Sequence, residues 1–286
     1  VQGEDTCQVE RFLCSQTVMM AVEGIPAFYI HSLLATPNDD LTLQQTGRNR
    51  SVNRHKWDLT ELEARLADES TKIWILKDAR TAFLSALEVF TVERSPKDWA
   101  NTQNSFGIVL KNLATLSSGE ERTLNLKRSI AAYHAAQTVQ SRDTLPQQWA
   151  NTQNNLGVAL EAFSEDLPQE EQHRILHEAR EAYRTALEIT PRIEIRANLI
   201  RLLIALTDRA SRSEQSRLLR EAIDESRILA REYRQANSAI NWAKTQNEIA
   251  AKLHRLSSIS SQEVKRDMLN EALDAVRDVL EFQSKE

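Results

Sequence analysis

Hydrophobic residues recur at helical spacing along most of the chain. In the segment 178–187, Ala179, Tyr183 and Ala186 fall four and three positions apart, which places them on one face of a helix. The small residues on that face let a neighbouring helix approach closely, and the aromatic ring fills the gap between the two helices. The pattern therefore predicts an amphipathic helix that requires a partner.

This segment is one of two elements that recur along the chain. The first element contains a Trp-Ala-x-Thr-Gln-Asn run and occupies residues 99–107, 149–157 and 242–250, with a degenerate copy at 197–200. The second element occupies residues 78–87, 129–137 and 178–187, with weaker copies that start at Glu221 and Glu271. In each complete copy, 22 residues separate equivalent positions of the two elements, as from Gly157 to Ala179. This constant interval predicts pairs of helices that repeat along the chain.

One repeat carries a recognisable set of residues, which are Leu156, Gly157 and Leu160 in its first element and Ala179, Tyr183, Ala186 and Pro191 in its second. The set resembles the tetratricopeptide repeat, whose standard period is about 34 residues. The copies here are offset by 50 and 43 residues, because the links between helices are longer. The resemblance implies a right-handed helical solenoid over residues 73–286, whose concave groove binds a protein or peptide.

Polar residues recur on the flank of the first element that would face this groove. If Leu156 and Gly157 point into the stack, positions two and five residues before Leu156 share the opposite side of the helix. Across the repeats these groove candidates are Asn101, Asn104, Asn151, Asn154, Lys244 and Asn247. A ladder of asparagine amides offers donors and acceptors for the backbone of an extended peptide. The alternative is that the asparagines bond between neighbouring helices or reflect duplication of the repeat.

The first 72 residues have a different pattern. A run of aromatic and branched residues at 23–34 predicts a buried strand. A helix is predicted before it at 9–22, and a polar, basic stretch follows at 46–57. A last helix is predicted at 58–67, so the segment forms one βα module with a preceding helix.

Five short motifs follow one another in this segment: Gly24-Ile-Pro26-Ala-Phe-Tyr29, Ser32-Leu-Leu, Asn38-Asp39, Thr46-Gly47 and Arg50-Ser-Val-Asn53-Arg54. With them, residues 8–72 resemble the C-terminal end of the catalytic barrel in sucrose phosphorylases and related sugar phosphorylases of glycoside hydrolase family 13. The resemblance implies that residues 24–34 form the eighth strand of a (β/α)8 barrel, whose C-terminal end faces the active site. It also implies that Arg50 contacts the glucosyl unit of the substrate.

The same resemblance identifies what the segment lacks. Enzymes of this family use a carboxylate nucleophile, an acid/base glutamate and a stabilising aspartate, and all three lie upstream of the matching part. We therefore predict no catalytic residue here and expect no activity from this fragment, which leaves open whether the parent chain is an enzyme. A sugar or phosphate is a partner only if a longer parent chain completes the barrel. Val1 in place of a methionine allows for upstream sequence.

The composition supports a helical fold and argues against nucleic acid and membranes as partners. Six glycines and six prolines among 286 residues are few for a loop-rich or all-β protein. The formal net charge of -5 argues against nucleic acid as a partner. The most apolar stretch, at 12–34, is too interrupted by polar residues to span a membrane. Only two cysteines, Cys7 and Cys14, are present, which indicates a reducing cytoplasm.

Two histidines are the remaining candidates for metal chemistry. His173 and His177 lie four residues apart on a predicted helix, a spacing that can bind a metal ion. The sequence near them offers no third ligand of similar quality, and the preceding Pro-Gln-Glu-Glu-Gln run indicates a solvated face. We therefore predict no metal site, and no cofactor is expected because the phosphate-loop and other cofactor motifs are absent from the sequence.

Together these observations predict a mainly α protein in two parts. A small α/β fragment of a (β/α)8 barrel occupies residues 1–72, and a tetratricopeptide-type helical solenoid occupies residues 73–286. The first hypothesis is a non-catalytic protein-interaction scaffold. The alternative is the C-terminal part of a longer sucrose phosphorylase-like glucosyltransferase with an appended repeat domain. A third hypothesis is a solenoid that regulates a fused effector. The junction near residue 72 is consistent with a natural gene fusion, with a relic of a former barrel and with an assembly artefact.

Overall fold

The computed structural model describes residues 68–208 and 210–283. The strand predicted at 23–34, its flanking helices and Arg50 lie outside these residues. The chain divides into two compact units, Val1–Gln140 and Ser141–Glu286, and each is described by itself. The boundary predicted near residue 72 falls inside the first described helix and stays a prediction.

Every regular element within the described ranges is an α-helix, as the low glycine and proline content predicts. The first unit contains α1 (Glu69–Val89), α2 (Pro96–Thr115) and α3 (Gly119–Gln137). The second unit contains α4 (Pro146–Ser164), α5 (Gln169–Ile189), α6 (Ile193–Thr207), α7 (Arg212–Gln235), α8 (Ala239–Ile259) and α9 (Gln262–Gln283). The mainly α class is confirmed for the described residues.

Each copy of the two repeated elements lies on its own helix. The first elements lie on α2, α4, α6 and α8, and the second elements lie on α1, α3, α5, α7 and α9. In the first unit α2 packs against both α1 and α3, and in the second unit each helix packs against the next. The helix pairs follow the predicted alternation, whereas the solenoid expected from the tetratricopeptide resemblance stays a prediction.

The helix starts follow from local sequence. Pro96 and Pro146 occupy the first turns of α2 and α4, where the fixed φ angle of proline suits a helix and its missing N–H costs no hydrogen bond. Ser211 precedes α7, and its hydroxyl accepts a hydrogen bond from the backbone N–H of Glu214. These residues determine where the first and second helices of a repeat begin.

A glycine and a tyrosine form the centre of two helix pairs. A Cβ atom added at Gly157 would lie 2.7 Å from the ring of Tyr183, and one added at Gly107 would lie 2.6 Å from the ring of Tyr133. Both tyrosines are fully buried. The glycine therefore lets the two helices approach until the ring fills the space between them.

In the remaining repeats, side chains of other sizes occupy the positions of the glycine and the tyrosine. Ile200 stands at the position of the glycine on α6, and Ser226 stands at the position of the tyrosine on α7, where both are buried. In the last pair the two positions hold Ala250, which is buried, and Val276, which is exposed. The pair Ile200 and Ser226 thus reverses the order of the small and the large residue found in Gly157 and Tyr183.

Candidate binding groove

Three helices of the second unit enclose a groove of about 590 Å³. Helices α6 and α8 form its two walls, and α7 contributes the residues between them. The residues that line this binding groove are Ala197, Ile200, Arg201, Ile204, Leu229, Tyr233, Asn241, Lys244, Thr245, Glu248, Ala251, Lys252 and Arg255. Four of them are basic and one is acidic, so the lining carries an excess of positive charge although the whole chain is acidic.

Arg201 on the wall formed by α6 is held by residues of two further helices. It donates two hydrogen bonds to the carboxylate of Glu161 on α4, with Nη1 to Oε2 at 2.7 Å and Nη2 to Oε1 at 3.0 Å. The hydroxyl of Tyr183 on α5 donates to the same carboxylate at 2.5 Å. Burial and the charge of Glu161 raise the pKa of Tyr183, so its hydroxyl stays protonated and remains a donor. This network fixes the guanidinium at the edge of the groove.

Lys252 on α8 is the most buried cation of the groove, with 8% of its side chain exposed. Its ammonium group lies 3.1 Å from the carboxylate of Glu248, one turn earlier on the same helix. Burial lowers the pKa of Lys252, and the nearby Glu248 carboxylate opposes part of that change. Lys252 and its contact with Glu248 therefore lie in a partly dry environment, where electrostatic interactions are stronger than at an exposed surface.

The other two cations differ in their partners. Arg255 donates to Asp208 at the end of α6, at 2.6 Å between Nη2 and Oδ1. Lys244 is exposed, and among the described residues no carboxylate forms an ion pair with it. Lys244 is thus the cation best placed to bind a negatively charged group from outside the chain.

The four predicted groove residues of the second unit lie in different surroundings. Lys244 lines the binding groove, whereas Asn247 is exposed and lies outside its lining. Asn154 accepts a hydrogen bond at 3.4 Å from the side chain of Asn198 on α6, which occupies the position equivalent to Asn155. Asn151 is half-buried on α4. The bond from Asn198 to Asn154 is the inter-helix pairing that the alternative interpretation of the asparagines describes.

In the first unit the asparagines lie on α2. Asn101 accepts a hydrogen bond from the side chain of Gln140 at 3.3 Å, and Gln140 is itself 1% exposed. Asn104 is half-buried. The peptide-binding role of all four asparagines and of Asn247 stays a prediction.

A second groove of about 650 Å³ lies in the first unit, between α1, α2 and α3. Its lining includes Arg80, Phe106 and Arg128 but none of the predicted asparagines. The binding groove of the second unit is the better candidate site because it contains one predicted residue and the larger number of cations.

Sequence reasoning missed most of the cations in the binding groove. The positions of Lys244, Glu248, Lys252 and Arg255 follow intervals of four, four and three residues, so they share one face of α8. These intervals were sufficient to predict the charged face of α8 from the sequence. The pairing of Arg201 with Glu161 could not be predicted, because the two residues are 40 positions apart and meet only when two repeats pack.

The expectation that His173 and His177 have no third ligand nearby is wrong. Helix α7 brings Glu214 to them, and one possible ligand atom from each of the three residues lies within 4.8 Å of the others. The expectation was based on neighbours in sequence, whereas Glu214 is 37 positions beyond His177 and approaches it because α5 and α7 both pack against α6.

Within the described ranges, no helix is both long enough and apolar enough to cross a membrane. No protein-family model matches the chain.

Parts of the chain are similar to curated glucosylglycerate phosphorylases. The protein of Allomeiothermus silvanus is 40% identical over 71 residues, which are 25% of this chain and 13% of that protein. The protein of Escherichia coli K12 is 32% identical over 107 residues, or 37% of this chain and 18% of that protein. The protein of Spirochaeta thermophila is 43% identical over 49 residues, or 17% of this chain and 8% of that protein.

The chain spans less than a fifth of the length of these relatives. Part of the chain is nevertheless homologous to sugar phosphorylases. This homology confirms the predicted relationship to that class of enzyme, whereas the barrel fragment predicted for residues 8–72 stays a prediction. The comparisons favour the phosphorylase alternative over the scaffold hypothesis. The tetratricopeptide resemblance stays a prediction.

Proposed function

We propose that the chain is the C-terminal part of a glucosyl phosphorylase of the sucrose phosphorylase type, with a helical region after the catalytic barrel. The observation that carries this proposal is the similarity of part of the chain to three glucosylglycerate phosphorylases. In such a reaction an enzyme carboxylate displaces the acceptor alcohol from the glucosyl unit. Inorganic phosphate then attacks the glucosyl-enzyme, which releases a glucosyl phosphate and restores the carboxylate.

Arg50 is the residue of this chain that binds the glucosyl unit in the proposal. Its planar guanidinium offers five N–H donors in a fixed arrangement, which suits both sugar hydroxyls and a neighbouring carboxylate. The nucleophile and the acid/base residue belong to the part of the barrel that precedes the motifs of residues 8–72.

The test uses the complete open reading frame that contains these 286 codons. Turnover of glucosylglycerate and of sucrose is measured as formation of glucosyl phosphate, with and without inorganic phosphate. We expect phosphate-dependent turnover, and a loss of about a hundredfold in kcat/KM for Arg50→Ala because the glucosyl unit is no longer held in place. Arg48→Ala, two residues away and outside the motif, is the matched control and keeps its activity. Hydrolysis that does not depend on phosphate, or an Arg50→Ala enzyme with unchanged kcat/KM, would contradict the proposal.

We also propose that the helical region binds an acidic peptide in the binding groove. This proposal is supported by the apolar residues Ile204, Leu229 and Tyr233 in the lining and by the four cations around them. An extended peptide that alternates apolar and acidic side chains matches both features. The exposed ammonium group of Lys244 would bind one carboxylate of such a peptide.

A labelled peptide of alternating leucine and glutamate is the probe for this second proposal, and a peptide of alternating leucine and lysine is its counterpart. We expect only the acidic peptide to bind, with affinity about tenfold weaker for Lys244→Glu. Arg220→Glu reverses an exposed charge on α7 outside the groove and is the control. Equal binding of the two peptides, or equal losses in the two variants, would contradict an acidic ligand in this groove.

A further inference from the structure

The side chains of His173, His177 and Glu214 converge between α5 and α7, two helices of the second unit that both pack against α6. The two imidazole rings lie edge to face with their centroids 4.4 Å apart. Nε2 of His177 lies 3.7 Å from Oε1 of Glu214. One possible ligand atom of each residue lies within 4.8 Å of the other two.

We propose that these three residues bind a zinc ion or a first-row divalent ion with the same ligand preference. Two imidazole nitrogens and one carboxylate oxygen are a known zinc ligand set, which leaves the fourth tetrahedral position open to water. Metal–ligand bonds of about 2.1 Å put tetrahedral ligand atoms about 3.4 Å apart, close to the distance between His177 and Glu214. His173 is exposed and its ring can rotate to close the remaining distance.

The local backbone places two of the ligands before any metal arrives. His173 and His177 are one helical turn apart on α5, so their side chains share one face. Glu214 lies in the first turn of α7, whose start is fixed by the Ser211 cap. A bound ion would therefore join two helices that are already held side by side by their common packing against α6.

Charged side chains near the three residues both favour and oppose the binding of a metal ion. Burial and the neighbouring His173 lower the pKa of His177, while the charge of Glu214 opposes the change. Arg180 forms its own ion pair with Glu221, which offsets its charge near the site. Arg217 donates to Oε1 of Glu214 at 3.0 Å and competes with a metal ion for that carboxylate. Because the Arg217 side chain is 62% exposed, it can turn away into solvent.

Calorimetric titration of the purified 286-residue chain with zinc chloride tests the proposal, with a purification tag that contains no histidine. We expect one strong site, weakened at least about tenfold in His173→Ala, His177→Ala and Glu214→Ala. His254→Ala is the matched control, since His254 is an exposed histidine of the second unit outside the cluster. His31 and His55 lie outside the described residues and are further zinc ligands available in the chain. The number of bound ions therefore does not identify the site, whereas the loss of binding in the variants does.

Arg217→Gln provides a test in the opposite direction. Removing the competitor for Glu214 should strengthen zinc binding severalfold, an effect that a misfolded variant would not produce. Zinc should also raise the melting temperature of the wild type but not that of His177→Ala, because an ion that binds only the folded state stabilises it. Absence of strong zinc binding, or equal binding in wild type and His177→Ala, would overturn the proposal.

Discussion

At residue scale, the ring of Tyr183 determines which side chain position 157 can hold. A Cβ atom at Gly157 would lie 2.7 Å from that ring, which is 0% exposed and is also held through its hydroxyl by Glu161. The ring cannot move without breaking this contact and the packing around it. The same constraint applies to Gly107 and Tyr133 in the first unit.

We expect Gly157→Ala to lower the free energy of unfolding by about 2 kcal/mol, because overpacking exceeds the gain in helix propensity. Urea denaturation measures this change. The double variant Gly157→Ala with Tyr183→Val reproduces the pair Ala250 and Val276 of the last repeat. It should be more stable than the sum of the two single changes, and strict additivity would contradict direct packing between the two positions.

The hydroxyl of Tyr133 makes stability sensitive to alkaline pH. Burial raises the pKa of Tyr133, and a hydrogen bond with Ser129 opposes only part of that change. Above about pH 10 the unfolded chain loses the tyrosine proton while the folded chain keeps it, so stability falls by about 1.4 kcal/mol per pH unit from this group. Tyr133→Phe should remove this part of the fall. Parallel stability profiles of wild type and Tyr133→Phe above pH 10 would contradict the assignment; lysines titrate in both proteins and cancel in the difference.

At element scale, buried ion pairs between helices hold the second unit in register. Arg196 on α6, with 8% of its side chain exposed, donates to Glu232 on α7 at 3.2 and 3.3 Å and also pairs with Glu225 on that helix. Arg180 on α5 pairs with Glu221 on α7 in the same way. Each arginine is buried and its glutamate partners are half-buried, so removing the arginine leaves carboxylates without a counter-charge in a partly dry environment.

We expect Arg196→Met to lower the free energy of unfolding by about 3 kcal/mol, because two carboxylates then face each other without a cation. Adding Glu225→Gln and Glu232→Gln should restore most of this loss. Thermal and urea denaturation of the single and triple variants measure both effects. A triple variant less stable than Arg196→Met would show that the arginine acts through packing and not through charge.

The helices and their central contacts could be predicted from sequence because they depend on local repeats. The spacing of Ala179, Tyr183 and Ala186 already indicated a helix with one buried face, and the recurrence of Gly157 indicated its partner. The pairing of Arg201 with Glu161 and the approach of Glu214 to His177 could not be predicted. Each depends on the angle between helices that lie about 40 residues apart in sequence, and a rotation of either helix would separate the side chains.

At the scale of the whole molecule, one chain combines two kinds of sequence. Its first 72 residues contain motifs that resemble those of a sugar phosphorylase barrel, and the described residues after them form repeated helix pairs. The curated relatives to which parts of the chain are similar are all glucosylglycerate phosphorylases, and the chain spans less than a fifth of each. A phosphorylase with these motifs requires three carboxylates that residues 8–72 do not provide.

Sequencing the genomic locus upstream of the codon for Val1 tests the phosphorylase proposal most directly. The proposal predicts that the reading frame continues upstream through seven further barrel strands, with the nucleophile, acid/base and stabilising carboxylates in order, and runs without interruption through the junction near residue 72. A stop codon in frame shortly before Val1, or a locus in which the two parts are not joined, would contradict it. The repeat region and its binding groove would then be the place to seek function.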